Sequence, residues 1–223
     1  MHGDRVAENS RAAFDEAIRR GMGIECDVQV SRDGRAMVFH DWALERLTGE
    51  SGAIAERDAA DLVKIGLAVG QDRIQTLEDL LGQVSGSAPL LIEVKSKRRR
   101  DPLALCRAVR SALEGYRGAV AVMSFDPRVP NWFARHDPAI VCGLVVTEEN
   151  GRGWAGRANR RLSLWHAKPD FLAYDVRDLP SLFAAAQRAR GLPLLTWTVR
   201  SPDLRARAAA HADAPIAEGA GLA

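Results

Sequence analysis

The chain has 223 residues, of which 47% are hydrophobic and 27% charged, with 31 Lys plus Arg against 29 Asp plus Glu for a net charge of +2. That make-up excludes disordered and fibrous classes and fits one sizeable core, a single α/β barrel domain over residues 1–223. A balance so near neutral gives no reason to expect nucleic acid or an acidic membrane as partner, while leaving an anionic small molecule admissible.

MHGDRVAENS has neither the basic start nor the apolar stretch of a signal peptide, and no apolar run reaches membrane-spanning length. The expected address is cytoplasmic, with no membrane span. Residues 1–8 hold a single β-branched side chain, Val6, and predict no strand. Asn9 or Ser10 then caps a helix with Ala13, Phe14, Ala17 and Ile18 in one stripe, ending at Gly21. A strand follows at 23–29. The few residues around Asp33-Gly34 are too short for a parallel crossover and predict a type I′ hairpin, with 36–41 folding back antiparallel. With Asp33 and Gly34 as the turn, His40 falls directly opposite Asp27.

Residues 45–80 read as a mostly helical insertion, with Thr76 capping its last helix. From residue 89 onward, short apolar runs at 89–95, 119–125, 140–146, 170–176, 193–199 and 213–217 alternate with amphipathic stretches such as DPLALCRAVRSALEG and LPSLFAAAQRARG. This is the form of repeated β-α units around a parallel sheet. The Arg- and Gly-rich NGRGWAGRANRR, 150–161, reads as a mobile loop, and the arginines of KSKRRR, 95–100, as a wet one. Cys26, Cys106 and Cys142 are odd in number, far apart and set among apolar residues, so they read as core thiols. With 36–41 treated as a hairpin extension, the barrel strands number seven. A TIM (β/α)8-type barrel needs an eighth, and its place is before the first helix. Its absence would leave two unpaired sheet edges, through which an oligomer could form.

The side-chain period of two sends Glu25 and Asp27 to one face of their strand, and Glu93 and Lys95 to one face of the next. If both faces look into the barrel, three carboxylates and a lysine meet at the end where barrel enzymes keep their sites. Three convergent acids repel unless a cation lies among them, and oxygen donors suit Mg²⁺ or Ca²⁺. His40 would stand beside the ion as proton donor or acceptor. For a lone E-x-D pattern, a plain ion-pair network is the better reading, but five such groups from separate elements favour a functional site. Trp197, near its strand's end, is placed either to wall a substrate or to pack in the core. His2, His136, His166 and His211 stand isolated. The group suits phosphodiester hydrolysis, and it would also serve a metal-dependent enolising or lyase-type reaction with Lys95 as base.

ENSRAAFDEAIRRGMGIECDVQVSRDGRAMVFHDWALERLTG, followed in order by IQTLEDLL, LIEVK, MSFDP, LTWTVR and PIAEG, closely resembles the glycerophosphodiester phosphodiesterases over nearly the whole chain. The resemblance implies a TIM barrel of lipid metabolism that hydrolyses glycerophosphodiesters to glycerol 3-phosphate and an alcohol. It implies Glu25, Asp27 and Glu93 as metal ligands, His40 as one of two acid-base histidines and Lys95 as the phosphate-site lysine. Glu8 and Asn9 match the pair that supports the site, and Phe125 and Trp197 match its wall. One departure stands against these matches. The family's first strand ends in His-Arg-Gly, which brings the second histidine and a phosphate-binding arginine, and no such motif occurs here; His2 is followed by Gly3. The expectation is therefore impaired activity, or a silent barrel that binds a phosphodiester or a partner. A first strand encoded upstream of Met1 would restore the motif.

Overall fold

Ser10 opens the first helix, its Oγ accepting from the Ala13 N–H at 3.2 Å, and α1 (Arg11–Arg19) buries Ala13, Phe14 and Ala17. Gly21, at φ +66°, takes the left-handed turn that releases the chain into β1 (Ile24–Val30). The computed structural model describes residues 6–97, 101–149 and 151–222. His2 and the rest of residues 1–5, within the stretch 1–8 expected to form no strand, lie outside them, as do Arg98 to Arg100 of the basic run. Val6 makes a single β-bridge, and among the described residues nothing longer precedes α1. The chain divides into two compact units, Met1–Ala121 and Val122–Ala223.

In the first unit the hairpin is real but its register differs from the sequence expectation. β2 (Ala36–Val38) pairs antiparallel with β1 as Val28↔Val38, Gln29↔Met37 and Val30↔Ala36. Asp27 therefore faces Phe39, whose N–H donates to the Asp27 carbonyl at 3.0 Å, and His40 is one position further on. The cause is a three-residue loop in place of a two-residue turn. The Ser31 N–H donates to the Arg35 carbonyl at 2.9 Å, the Gly34 N–H to the Ser31 carbonyl at 3.1 Å, and Gly34 alone is left-handed, at φ +84°. Asp33 serves as an acceptor, taking the Ala59 N–H at 2.9 Å.

The arm is also shorter than 36–41. Gln29 Nε2 donates to the Phe39 and His40 carbonyls, each at 3.1 Å, and to that of Asp41, so these residues leave the ladder. The insertion holds short helices α2 (Glu45–Thr48) and α3 (Ala59–Leu62), a 3-10 turn at Ile54–Glu56, and a strand the sequence did not announce, β3 (Gln75–Thr76), antiparallel to β2. Thr76 does cap α4 (Leu77–Val84): it accepts from the Asp79 N–H, and Asp79 accepts from the Thr76 N–H, each at 3.1 Å. β4 (Leu90–Val94) lies parallel to β1, giving the order β3-β2-β1-β4. α5 (Leu103–Leu113) follows, and β5 (Val120–Ser124) holds the point in the chain where the division between the units falls. Met37, Phe39, Leu44, Ile54 and Leu62 pack the core under the insertion.

The second unit contains α6 (Arg128–His136), β6 (Val141–Val146), α7 (Trp154–Ala167), β7 (Phe171–Asp175), α8 (Leu182–Arg188), β8 (Leu194–Val199), α9 (Pro202–His211) and β9 (Ala214–Ala217). Strands β6 to β9 run parallel in sequence order around a core of Leu144, Leu172, Tyr174 and Leu194. All seven expected barrel strands form, to within a residue at either end. The expected loop 150–161 does not survive. Helix starts at Trp154, because Ala, Arg and Leu of WAGRANRRLSLWHA are strong helix formers and Gly153 supplies an extended cap. The three cysteines are buried and form no disulfide, as expected of core thiols.

Candidate active site

Parallel pairing in register sets Asp27 beside Glu93, and Glu25 two residues earlier shares their face. Carboxylate oxygens of Glu25, Asp27 and Glu93 lie within 4.8 Å of one another. Cys26 and Val28, on the opposite face, are fully buried, which anchors the alternation. Burial presses the Cys26 thiol pKa well above its usual value, with the flanking acids adding to the effect.

Lys95 returns to the cluster from just beyond β4. Its backbone N–H donates to the Val28 carbonyl at 3.1 Å, and its Nζ lies 2.9 Å from Asp27 Oδ1 and 3.0 Å from Glu93 Oε1. Burial alone would lower the Lys95 pKa, but the two carboxylates outweigh it and hold it above the ordinary lysine value. Glu93 moves upward too, first through burial and then through the Asp27 charge, against the pull of Lys95 and His40. Asn9 completes the clamp: its Nδ2 donates to Asp27 Oδ2 at 2.9 Å, while its Oδ1 accepts the Asp27 N–H at 3.1 Å. Asn9 sits at φ +55°, a left-handed conformation that asparagine tolerates better than most residues.

His40 belongs to a second, adjoining constellation. Its Nδ1 lies 2.7 Å from Asp41 Oδ1, and Arg46 Nη2 donates to the same oxygen at 2.7 Å and also to Glu8 Oε1. Glu8, His40 and Asp41 have donor atoms within 4.8 Å of one another. The Arg46 hydrogen bond, helped by His40, draws the Asp41 pKa down to about 2. Glu8 thus joins the Arg46 network. Sequence reasoning passed over Asp41, Arg46 and Gln29. The first two were legible as the spacing HDWALER, whereas Gln29 acts through backbone carbonyls that no motif displays.

Phe125 and Trp197, both in the second unit, pack edge to face with ring centroids 5.4 Å apart. The Trp197 Nε1–H donates to the Ala173 carbonyl at 2.9 Å, and Phe125 is exposed. His136, His166 and His211 lie on α6, α7 and α9 of that unit.

Oxygen donors grouped so closely, with one carboxyl already pushed toward protonation, are chemically suited to a hard divalent cation. The fold class is established by solved structures. A phosphodiesterase of Oleispira antarctica, in complex with the product sn-glycerol-3-phosphate, is similar at TM-score 0.82 and 21% identity, with 96% of this chain and 89% of that one covered. A glycerophosphodiester phosphodiesterase of Thermotoga maritima is similar at TM-score 0.73 and 23% identity, with 96% and 90% covered. The protein is an α/β chain of the TIM-barrel type.

The family model of the glycerophosphoryl diester phosphodiesterases matches residues 2–216, across both units. A probable glycerophosphodiester phosphodiesterase 2 of Mycobacterium tuberculosis is 30% identical over 212 residues, 90% of this chain and 77% of that protein. A glycerophosphodiester phosphodiesterase of Caldanaerobacter subterraneus subsp. tengcongensis is 26% identical over 228 residues, 96% of this chain and 89% of that protein. The chain belongs to the glycerophosphoryl diester phosphodiesterase family, a family of phosphoric diester hydrolases.

Proposed function

We propose that the first unit carries a cation-assisted site for cleaving glycerophosphodiesters to glycerol 3-phosphate and an alcohol. The observation that carries this reading is the meeting of Glu25, Asp27 and Glu93 on the paired strands β1 and β4, with Lys95 among them. Those three carboxylates would hold Mg²⁺ or Ca²⁺, which when bound supplies positive charge for the phosphoryl oxygens. Lys95 adds fixed positive charge from a desolvated position, where it acts more strongly than in water. Asp41 would accept a hydrogen bond from His40 Nδ1–H and so orient the ring, whose Nε2, when it also carries a proton, would give it to the departing alkoxide. Gln29 fixes the His40 backbone, and Asn9 holds Asp27 at both its backbone and its carboxylate. Phe125 and Trp197 carry over from the family as substrate-contacting aromatics.

The absence of His-Arg-Gly from the sequence carries a second part of the proposal, reduced turnover. Loss of one acid-base group costs about 10²- to 10⁴-fold in rate. The test is release of glycerol 3-phosphate from glycerophosphocholine with Mg²⁺ or Ca²⁺, then with chelator, beside a relative that has the motif. Slow, chelator-sensitive release is expected. Release indifferent to chelator would reject the cation site, and a rate equal to the relative's would reject the impairment.

A further inference from the structure

Helix α7 is poorly explained by core packing. Of its 14 residues only Arg160 and Ala167 are buried. Trp154, Leu162 and Trp165 are 84%, 61% and 70% exposed, and Leu182, opening α8, is 92% exposed. At spacings of eight and three, Trp154, Leu162 and Trp165 fall on one stripe of the helix. Arg157 and Arg161, four residues apart, form the neighbouring row.

That row lines a cavity of about 630 Å³ between α7 and α8, together with Arg152, Arg160, Arg177 and Arg190; its acidic lining is Glu148 and Asp178. Three of the arginines are matched. Arg160 meets Glu148 and Arg152 meets Asp178, each at 3.3 Å, and Arg177 meets Asp175 at 2.6 Å. Arg157, Arg161 and Arg190 have no acidic partner among the described residues. Within buried Arg160, Nη1 donates to the Gly151 carbonyl at 2.7 Å, yet Nε–H has no acceptor. A buried donor left unpaired is costly, and an incoming oxygen would relieve it.

We propose that the α7–α8 face docks on an anionic phospholipid surface, with Trp154, Leu162, Trp165 and Leu182 entering the interfacial layer and the unmatched arginines holding lipid phosphates. Tryptophan is suited to the boundary between headgroups and acyl chains, and arginine beside it to anionic lipid. The charge is local: a chain of net charge +2 gathers six arginines against two acids around one cavity. A second copy is the poorer occupant, because a two-fold contact would set this arginine row against its own image. No helix of the described residues is long and apolar enough to cross a membrane, so the contact is one of surface docking. The inference does not rest on the hydrolytic reading of the first unit.

Sedimentation with sucrose-loaded vesicles tests it, using phosphatidylcholine alone and phosphatidylcholine mixed with phosphatidylglycerol. The chain is expected to sediment with the mixed vesicles at low salt and to be released at about 1 M salt, where the Debye length falls to about 3 Å. Replacing Arg157→Gln and Arg161→Gln should weaken binding about fivefold for each arginine. Trp154→Ala with Trp165→Ala should lower the bound fraction without changing its salt dependence. All four positions are exposed, where substitutions leave folding nearly untouched. Failure of the unmodified chain to bind mixed vesicles at low salt would overturn the proposal. So would binding that both double variants leave unchanged, or arginine-dependent uptake of inorganic phosphate with no vesicle binding, which would mark a soluble-anion pocket. A dimer by light scattering that the tryptophan variant disperses would instead assign the face to a second copy.

Discussion

The acidic cluster of the first unit and the arginine-lined cavity of the second both gather charge, but they do so on different terms. Asp27 and Glu93 are buried on neighbouring strands, and Lys95 spans them. Their mutual distance is set by a sheet register that a side-chain change cannot relax. The arginines come from the loop before α7, from α7 and from the turns after β7 and α8; half of them are unmatched, and all but the buried Arg160 are exposed to water, which screens them. Rigid strand neighbours can impose a charge conflict and keep it; a helix surface cannot. The first arrangement therefore suits holding an ion and a reacting group, and the second suits meeting a large and variable anionic surface.

The largest effect expected from breaking this contrast is on turnover. His40→Gln should lower kcat by about 10²- to 10⁴-fold with far-ultraviolet circular dichroism unchanged, since the side chain is half-exposed and stabilises little. An unchanged kcat would remove His40 from the proton path. Next comes stability. Lys95→Met takes the cation from two buried carboxylates and should cost about 3–5 kcal/mol at neutral pH, read from urea unfolding. The sign with pH follows from the two shifts. Glu93 lies above its ordinary value, so the cost of holding it ionised fades as pH falls through its raised pKa, and the gap between variant and parent should narrow there. Lys95 also lies above its ordinary value, so its contribution is complete below about pH 10.4 and lost only as pH rises through the shifted value. The corresponding change in the second region is smaller. Arg160→Met should cost about 1–3 kcal/mol, because Glu148 keeps the Tyr174 and Ser181 hydroxyls as donors at 2.5 and 2.6 Å. A loss as large as that of Lys95→Met would erase the contrast.

Most of the acidic cluster was legible because it obeys a period of two. Once β1 and β4 were recognised as adjacent strands, the shared face of Glu25, Asp27, Glu93 and Lys95 followed with no further information. The hairpin was legible only to within one residue. Asp33-Gly34 is a strong turn signal, but the loop type depends on Ser31 meeting Arg35 and on Asp33 reaching Ala59, a residue 26 positions away. Where His40 goes depends on a contact the pattern does not contain: Gln29 takes the Phe39, His40 and Asp41 carbonyls, and His40 joins Glu8 and Asp41. Helix α7 was hidden because glycines and arginines read as a loop when its outer face lacks a buried stripe. The arginine cavity is a tertiary convergence of the loop before α7, α7 itself, the loop after β7 and α8. No local spacing records such a meeting.

The claim on which the rest depends is that Glu25, Asp27 and Glu93 jointly accept one divalent cation. Calorimetric titration of Mg²⁺ or Ca²⁺ into the chelator-stripped chain and into its Glu93→Gln variant measures this without requiring turnover. One site per chain, lost in the variant, is the predicted result; no uptake by the parent, or equal affinity in both, would contradict it.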